Sequence, residues 1–350
     1  MATTQRERSE EVQAVLVIHQ GAIGDFILAL PALGVLRKTF PKARSVIMGY
    51  PRILELAEKR FYAEEIVSVD RKGMASFFVR GGALDAELSH FFSAFDLIVV
   101  FTKDGDGPLL GNLRRVSEGR ILHVNPFPPE HEKIHLSEHL LRELRRYSIS
   151  LPGQEPRLYL TRRDQEQGMN YCQRKGLTVA ESAKTIVVHP GSGSKKKVWP
   201  VERFAEVVRQ FKRPKGSRIL VVLGPAEGPE VQKAFEAIEW EMGPAAPIFL
   251  KGLSLLELAS VIGGSCLFIG NDSGITHMAA ALGVPTVAIF GPSDPTIWSP
   301  RGREVALVRR KISCSPCSQE KFFDCQDIQC LKQVEVEDVL AEVSRLAPAG

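Results

Sequence analysis

Short runs of β-branched and aliphatic residues recur along this chain, spaced to leave room for a helix between most of them, and this rhythm restricts the fold more than any other feature. The runs are Ala14–His19, Ser45–Gly49, Glu65–Val69, Asp96–Phe101 and Arg120–Val124. After a gap come Thr185–His189, Arg218–Leu223, Pro247–Leu250, Cys266–Gly270, Pro285–Phe290 and Glu304–Val308. Such βα alternation predicts an α/β fold with mainly parallel sheets covered by helices on both faces.

The gap predicts two domains. At 350 residues the chain is long enough for two cores. Near residues 148–165 the sequence Ser-Ile-Ser-Leu-Pro-Gly-Gln-Glu-Pro interrupts a long helical pattern. The halves echo each other, VLVIHQGAIGD opening the first and TIVVHPGSGS the second: an apolar strand, a histidine, then a glycine turn. The expected division is 1–155 and 156–332, with the helical pattern of 333–350 packing back on the first domain. A hydrophobic content of 44% with 25% charged residues excludes a disordered or fibrous chain. The net charge of +4 suits an anionic small ligand or surface and is too weak to argue for nucleic acid. The first apolar run is too short for a signal peptide, and no stretch reaches a membrane span. A cytoplasmic chain is expected, with the option of peripheral contact at the inner membrane.

Three turns carry the candidate chemistry. Gly21-Ala22-Ile23-Gly24-Asp25 lies between a strand and a nearly all-apolar helix, Phe26 to Leu36, where glycines admit a ligand to backbone amides. It is neither a dinucleotide fingerprint nor a P-loop. Asp25 reads either as a helix N-cap or as a carboxylate at the strand end where open α/β sheets bind ligands. His189-Pro-Gly-Ser-Gly-Ser-Lys-Lys-Lys-Val-Trp-Pro200 joins glycine amides, two hydroxyls and Lys195, Lys196 and Lys197. That is the chemistry of a diphosphate site or, alternatively, a solvated charge run. Gly270-Asn271-Asp272-Ser273-Gly274-Ile275-Thr276-His277 precedes an Ala-rich helix whose first-turn amides suit an anion.

Other features are weaker. Asp104-Gly105-Asp106 is a D-x-D that reads more readily as a polar turn. Lys133, His135, Arg142, Arg145 and Arg146 form either a surface for an anionic acceptor or membrane, or a solvated helix face. Cys314, Cys317, Cys325 and Cys330 have spacings near those of a four-thiolate zinc site, a candidate structural metal, with free thiols the alternative.

With GAIGD, HPGSGSKKKVWP and GNDSGITHMAAALGVPTVAIFGPSDP on the page, the chain resembles the ADP-heptose:lipopolysaccharide heptosyltransferases, glycosyltransferase family 9. The resemblance is strong in these three blocks and weaker elsewhere. It implies a GT-B architecture, two Rossmann-like doubly wound domains facing across a cleft, the first binding acceptor and the second the nucleotide sugar. It also implies an ADP-heptose donor, an inverting reaction that requires no metal, and a lipopolysaccharide inner-core acceptor of the Kdo-lipid A type met at the inner membrane surface. By motif, Asp25 resembles the general base, on a turn where Gly21 and Gly24 meet acceptor or phosphate. Lys197 resembles the diphosphate-binding cation, with Lys196 the alternative because the turn is about one residue longer than in some relatives. Gly191 and Ser192 resemble phosphate contacts, Asp272, Ser273, Gly274 and His277 donor-site residues, and Glu227 and Leu253 contacts to the adenosine end. Alternative functions are transfer or epimerisation with another nucleotide sugar, and a sugar-nucleotide-binding module without turnover.

Overall fold

The computed structural model describes residues 12–103, 106–152, 155–210, 217–224, 227–243 and 246–346. Two compact units emerge, Met1–Tyr159 and Leu160–Gly350. Each expected strand forms, with ends within one residue of the sequence reading.

The first unit is built on β1 (Ala14–Ile18), α1 (Ile23–Thr39), β2 (Arg44–Gly49), β3 (Glu65–Ser68), α2 (Ala86–Ser93), β4 (Leu97–Phe101), α3 (Pro108–Val116), β5 (Arg120–Val124) and α4 (Leu136–Arg145). Its sheet runs β3-β2-β1-β4-β5, all parallel. Helix α1 is buried without interruption from Phe26 to Leu36. It packs on α4, and the Ser137 hydroxyl donates to the Leu28 carbonyl at 2.8 Å. A helix covered on both sides needs no polar face, which explains the unbroken apolar sequence.

The second unit carries α5 (Arg162–Arg174), β6 (Ile186–His189), α6 (Val201–Gln210), β7 (Ile219–Leu223), α7 (Pro229–Met242), β8 (Ile248–Lys251), α8 (Leu255–Gly263), β9 (Leu267–Asn271), α9 (Gly274–Ala281), β10 (Thr286–Ile289), β11 (Val305–Val308) and α10 (Val336–Leu346). Its parallel sheet runs β11-β10-β9-β6-β7-β8. Counted within its own half that is 3-2-1-4-5-6 read backwards, the doubly wound Rossmann order. In both sheets the strand order reverses between the first and fourth strands, β1 and β4 in one and β6 and β9 in the other. Ligands of open α/β sheets bind outside the carboxyl ends at such reversals.

One expectation is corrected. The C-terminal helix does not belong to the first unit. Val336, Val339 and Val343, one stripe at helical spacing, are buried in the second unit's core with α6, β10 and β11. The entry to that helix is fixed because Trp199 Nε1 and Arg203 both donate to the Val334 carbonyl. Of the two readings of the basic residues around α4, a solvated helix face fits Arg145 and Arg146, both exposed. His135 is buried and caps the helix by accepting from the Ser137 amide, Arg142 pairs with Glu132, and Arg146 pairs with Glu143. Of the D-x-D, Asp104 and Gly105 lie outside the described residues.

Trp199 has no solvent exposure and meets Phe204 edge-on at 5.0 Å between centroids. Trp199→Ala therefore opens a cavity and removes one of the two donors to the Val334 carbonyl, Arg203 remaining. It is expected to cost about 3–5 kcal/mol of unfolding free energy in urea titrations, and a loss under about 1 kcal/mol contradicts that packing role.

Candidate functional site

In the second unit, the turns leaving neighbouring strands β6 and β9 are tied together by one side chain. Asn271, fully buried at the end of β9, donates from Nδ2 to the Pro190 carbonyl at 2.7 Å and to that of Gly191 at 3.4 Å. Its Oδ1 accepts the Trp199 amide at 3.0 Å. One amide group thus holds both ends of the glycine–lysine turn, and no polar valence of the side chain is wasted in the core. Ser192 adds a further tie, its hydroxyl donating to the Asp272 carbonyl at 2.8 Å.

The lysines separate by role. Lys197 Nζ stands 2.9 Å from Asp272 Oδ2. The contact is an ion pair at an angle that does not make a hydrogen bond. The Asp272 side chain is 6% exposed and that of Lys197 31%, so the carboxylate is sunk while the ammonium keeps an open side. Lys196 turns elsewhere: its Nζ donates to the carbonyls of Phe322 and Phe323. Of the two lysines raised by the longer turn, Lys197 is the one paired with the acidic turn. Lys195–Lys197 form one 3₁₀ turn, capped by Ser194.

Ser273 caps α9, its hydroxyl accepting the Thr276 amide at 3.3 Å and lying 3.3 Å from His189 Nδ1. Thr276 donates to the Asn271 carbonyl, closing the turn. The first-turn amides of α9, beginning at Gly274, lie beside Asp272, and His277 is buried in that turn. This end of an α-helix favours negative charge.

Beneath the glycine turn sits a pair absent from the motif reading. His189 Nε2 is 3.7 Å from Glu227 Oε1, with both side chains nearly buried, and Glu227 also accepts the Gly224 amide. Burial raises the Glu227 carboxyl above the usual carboxylate range. A Cβ at Gly191 would fall 1.5 Å from Glu227 Oε1, so only glycine fits over this carboxylate. Leu253 lies farther off, half-buried in the turn between edge strand β8 and α8.

The first unit repeats the plan with different chemistry. His19, buried after β1, packs edge-on against Phe26 and Phe101, and its Nδ1 accepts the Gly21 amide at 3.3 Å. A Cβ at Gly21 would meet His19 Cε1 at 2.6 Å and Asp25 Cβ at 2.8 Å. Asp25 accepts the Ala22 amide at 3.1 Å and remains partly exposed. Gly24 lies in the same first turn of α1. The N-cap reading of Asp25 is corrected: Ala22 holds the cap position, and Asp25, the third residue of the helix, reaches back to the cap amide while its carboxylate stays partly exposed.

The four clustered cysteines are free thiols. Burial, then the neighbouring Cys317, Cys314 and Cys325, push the Cys330 thiol up to about 11. Among the described residues no group of three or more His, Cys, Asp or Glu side chains is arranged to hold a metal ion.

Residues 131–325 match the family described as glycosyltransferase family 9 (heptosyltransferase). The chain is 24% identical to lipooligosaccharide heptosyltransferase 2 of Campylobacter jejuni, covering 93% of this chain and 95% of that one. Among solved structures it resembles the family 9 glycosyl transferase of Veillonella parvula, with a TM-score of 0.75 and 22% identity over 95% of this chain and 97% of that one. It also resembles Escherichia coli ADP-heptose LPS heptosyltransferase II, with a TM-score of 0.73 and 18% identity over 95% and 98% of the two chains. These likenesses establish the fold as GT-B type.

Burial lowers the pKa of both His19 and His189 to about 4. The folded chain keeps them neutral, while the unfolded chain protonates its histidines near the ordinary value of about 6.5. Their contribution is complete above that value and is lost as pH falls toward 4; the raised Glu227 carboxyl opposes the loss at the acid end. His19→Phe is expected to flatten the stability drop between about pH 7 and pH 5 by about 2 kcal/mol in urea unfolding. Parallel curves for the two proteins would remove the neutral imidazole from the account.

Proposed function

The chain belongs to glycosyltransferase family 9, and from that premise we propose that it moves heptose from ADP-heptose to the inner core of lipopolysaccharide. The acceptor is of the Kdo-lipid A type, the reaction inverts the anomeric centre and needs no metal, and it takes place at the cytoplasmic face of the inner membrane. The names of its relatives support donor and acceptor class: lipooligosaccharide heptosyltransferase and ADP-heptose LPS heptosyltransferase.

The observation that carries the reading is the cluster at the ends of β6 and β9. Breaking the sugar–phosphate bond leaves growing negative charge on the diphosphate. A Lys197 ammonium with an open side, the Gly191–Ser192 turn and the α9 amides offer fixed positive ends to that charge, favouring the transition state over the ground state. Asp272 holds the lysine head at the turn before the donor arrives, and with Ser273, Gly274 and His277 takes the phosphates and sugar. Glu227 and Leu253 serve the adenosine end.

Asp25 is the general base. Its carboxylate accepts the proton of the acceptor hydroxyl as that oxygen attacks the anomeric carbon. The bond to the diphosphate breaks on the opposite face, giving the inverted glycoside and ADP. The Ala22 amide on Asp25 Oδ2 fixes the side chain for this duty.

The test uses purified chain, ADP-heptose and a water-soluble inner-core oligosaccharide, with ADP release and product mass measured in the presence of EDTA. Turnover is expected with EDTA present, and Asp25→Asn is expected to lower it by about two orders of magnitude or more. Near-normal turnover in that variant removes Asp25 from the mechanism, and a requirement for added metal overturns the metal-free reading.

A further inference from the structure

Along the carboxyl edge of the second sheet the candidate residues fall in strand order. Leu253 follows β8, Glu227 follows β7, the 190–199 turn follows β6, and the 272–277 turn follows β9. A donor laid along that edge has its adenosine at the β8 and β7 end and its diphosphate between β6 and β9. Its sugar then extends toward β10, the next strand, about 4.8 Å further on. Whatever stands at the end of β10 therefore bounds the sugar.

The chain between β11 and α10 is tied down at that place. The buried Ser315 hydroxyl donates to the Gly291 carbonyl at 2.6 Å, and the Cys317 amide donates to that of Pro292 at 2.8 Å. Cys330 and Leu331 return to the core, and a Cβ at Gly291 would fall 2.4 Å from Leu331 Cγ. Between these anchors lies the short helix Gln319–Asp324, drawn to the lysine turn. Lys196 Nζ donates to the carbonyls of Phe322 and Phe323 and lies 5.8 Å from the centre of the Phe322 ring. A cation one residue from Lys197 is thus spent on holding protein. Phe322 is half-buried, and Phe323, edge-on to it at 5.8 Å between centroids, is 64% exposed. A single exposed ring is ordinary on a protein surface. What sets this one apart is that its own carbonyl is fastened to the turn that carries Lys197.

We propose that Phe323 walls the sugar end of the site, its ring lying against the C–H face of the donor's sugar, and that Lys196 is the positioning residue for the helix that carries it. The proposal rests on the nucleotide-sugar reading above and adds a contact to it. The negative face of an aromatic ring suits polarised C–H groups, and small-ligand sites pair such apolar surface with a few directed polar groups. Lys197 and the turn amides hold the diphosphate whether or not a sugar is attached, whereas the ring is met only by the intact donor. Once the sugar has moved to the acceptor, ADP lacks that contact, which favours its release.

The experiment is titration calorimetry of ADP and of ADP-heptose, without acceptor, into the parent chain, Phe323→Ala and Phe323→Trp. Phe323→Ala is expected to bind ADP within about twofold of the parent and ADP-heptose about tenfold more weakly. Phe323→Trp is expected to keep the parent's affinity for both, and both variants to melt as the parent does, since the ring is mostly in water. An unchanged affinity of Phe323→Ala for ADP-heptose, or an equal loss for ADP, overturns the contact and leaves the transferase reading standing. So does a dimer in solution that Phe323→Ala dissociates. A parent chain that binds neither ligand removes the donor reading and this contact with it.

Discussion

The second unit's chemistry depends on a single buried amide. Strands β6 and β9 are neighbours in the sheet although 80 residues separate Gly191 from Asn271, and backbone pairing alone would leave the loops beyond them free to diverge. Asn271 prevents this by bonding both ends of the 190–199 turn while sitting in the strand that launches the 272–277 turn. The 190–199 turn and the acidic turn are therefore one body. A shorter or apolar side chain at position 271 would leave the Trp199 amide and the Pro190 carbonyl buried without partners.

The two units use one plan for different ends. In each, a histidine at the end of the first strand is kept neutral by burial and braces a glycine turn. His19 does so by accepting the Gly21 amide, and His189 by lying between Ser273 and Glu227. Where the first unit then offers an accessible carboxylate at the start of a helix buried from Phe26 to Leu36, the second offers a lysine against a sunken carboxylate and the open end of α9. A neutral prop matters in the first. A protonated imidazole could not accept the Gly21 amide.

Much of the architecture was legible before any coordinates. The strands were, because continuous apolar runs bounded by glycine, proline and polar residues leave few alternatives, and every one formed within a residue of its expected ends. The three turns were legible because glycine and small polar residues at strand ends have few other uses. What escaped depends on which strands become neighbours. Nothing in the local sequence says that Asn271 reaches Pro190, that Lys196 is drawn to the carbonyls of Phe322 and Phe323, or that Glu227 lies under Gly191. The C-terminal helix was misplaced for the same reason: its valine stripe shows that it packs, and only the fold shows against what.

Lys197 is the residue on which the electrostatic account rests, and its contribution is measurable without acceptor or turnover. Titration calorimetry of ADP into the parent chain and into Lys197→Met isolates it, since methionine keeps the length of the side chain and removes the charge. A charge-assisted contact to phosphate predicts an affinity about ten- to a hundredfold weaker in the variant. An affinity within about twofold of the parent, in a variant that melts normally, would contradict the claim that this ammonium holds the departing diphosphate.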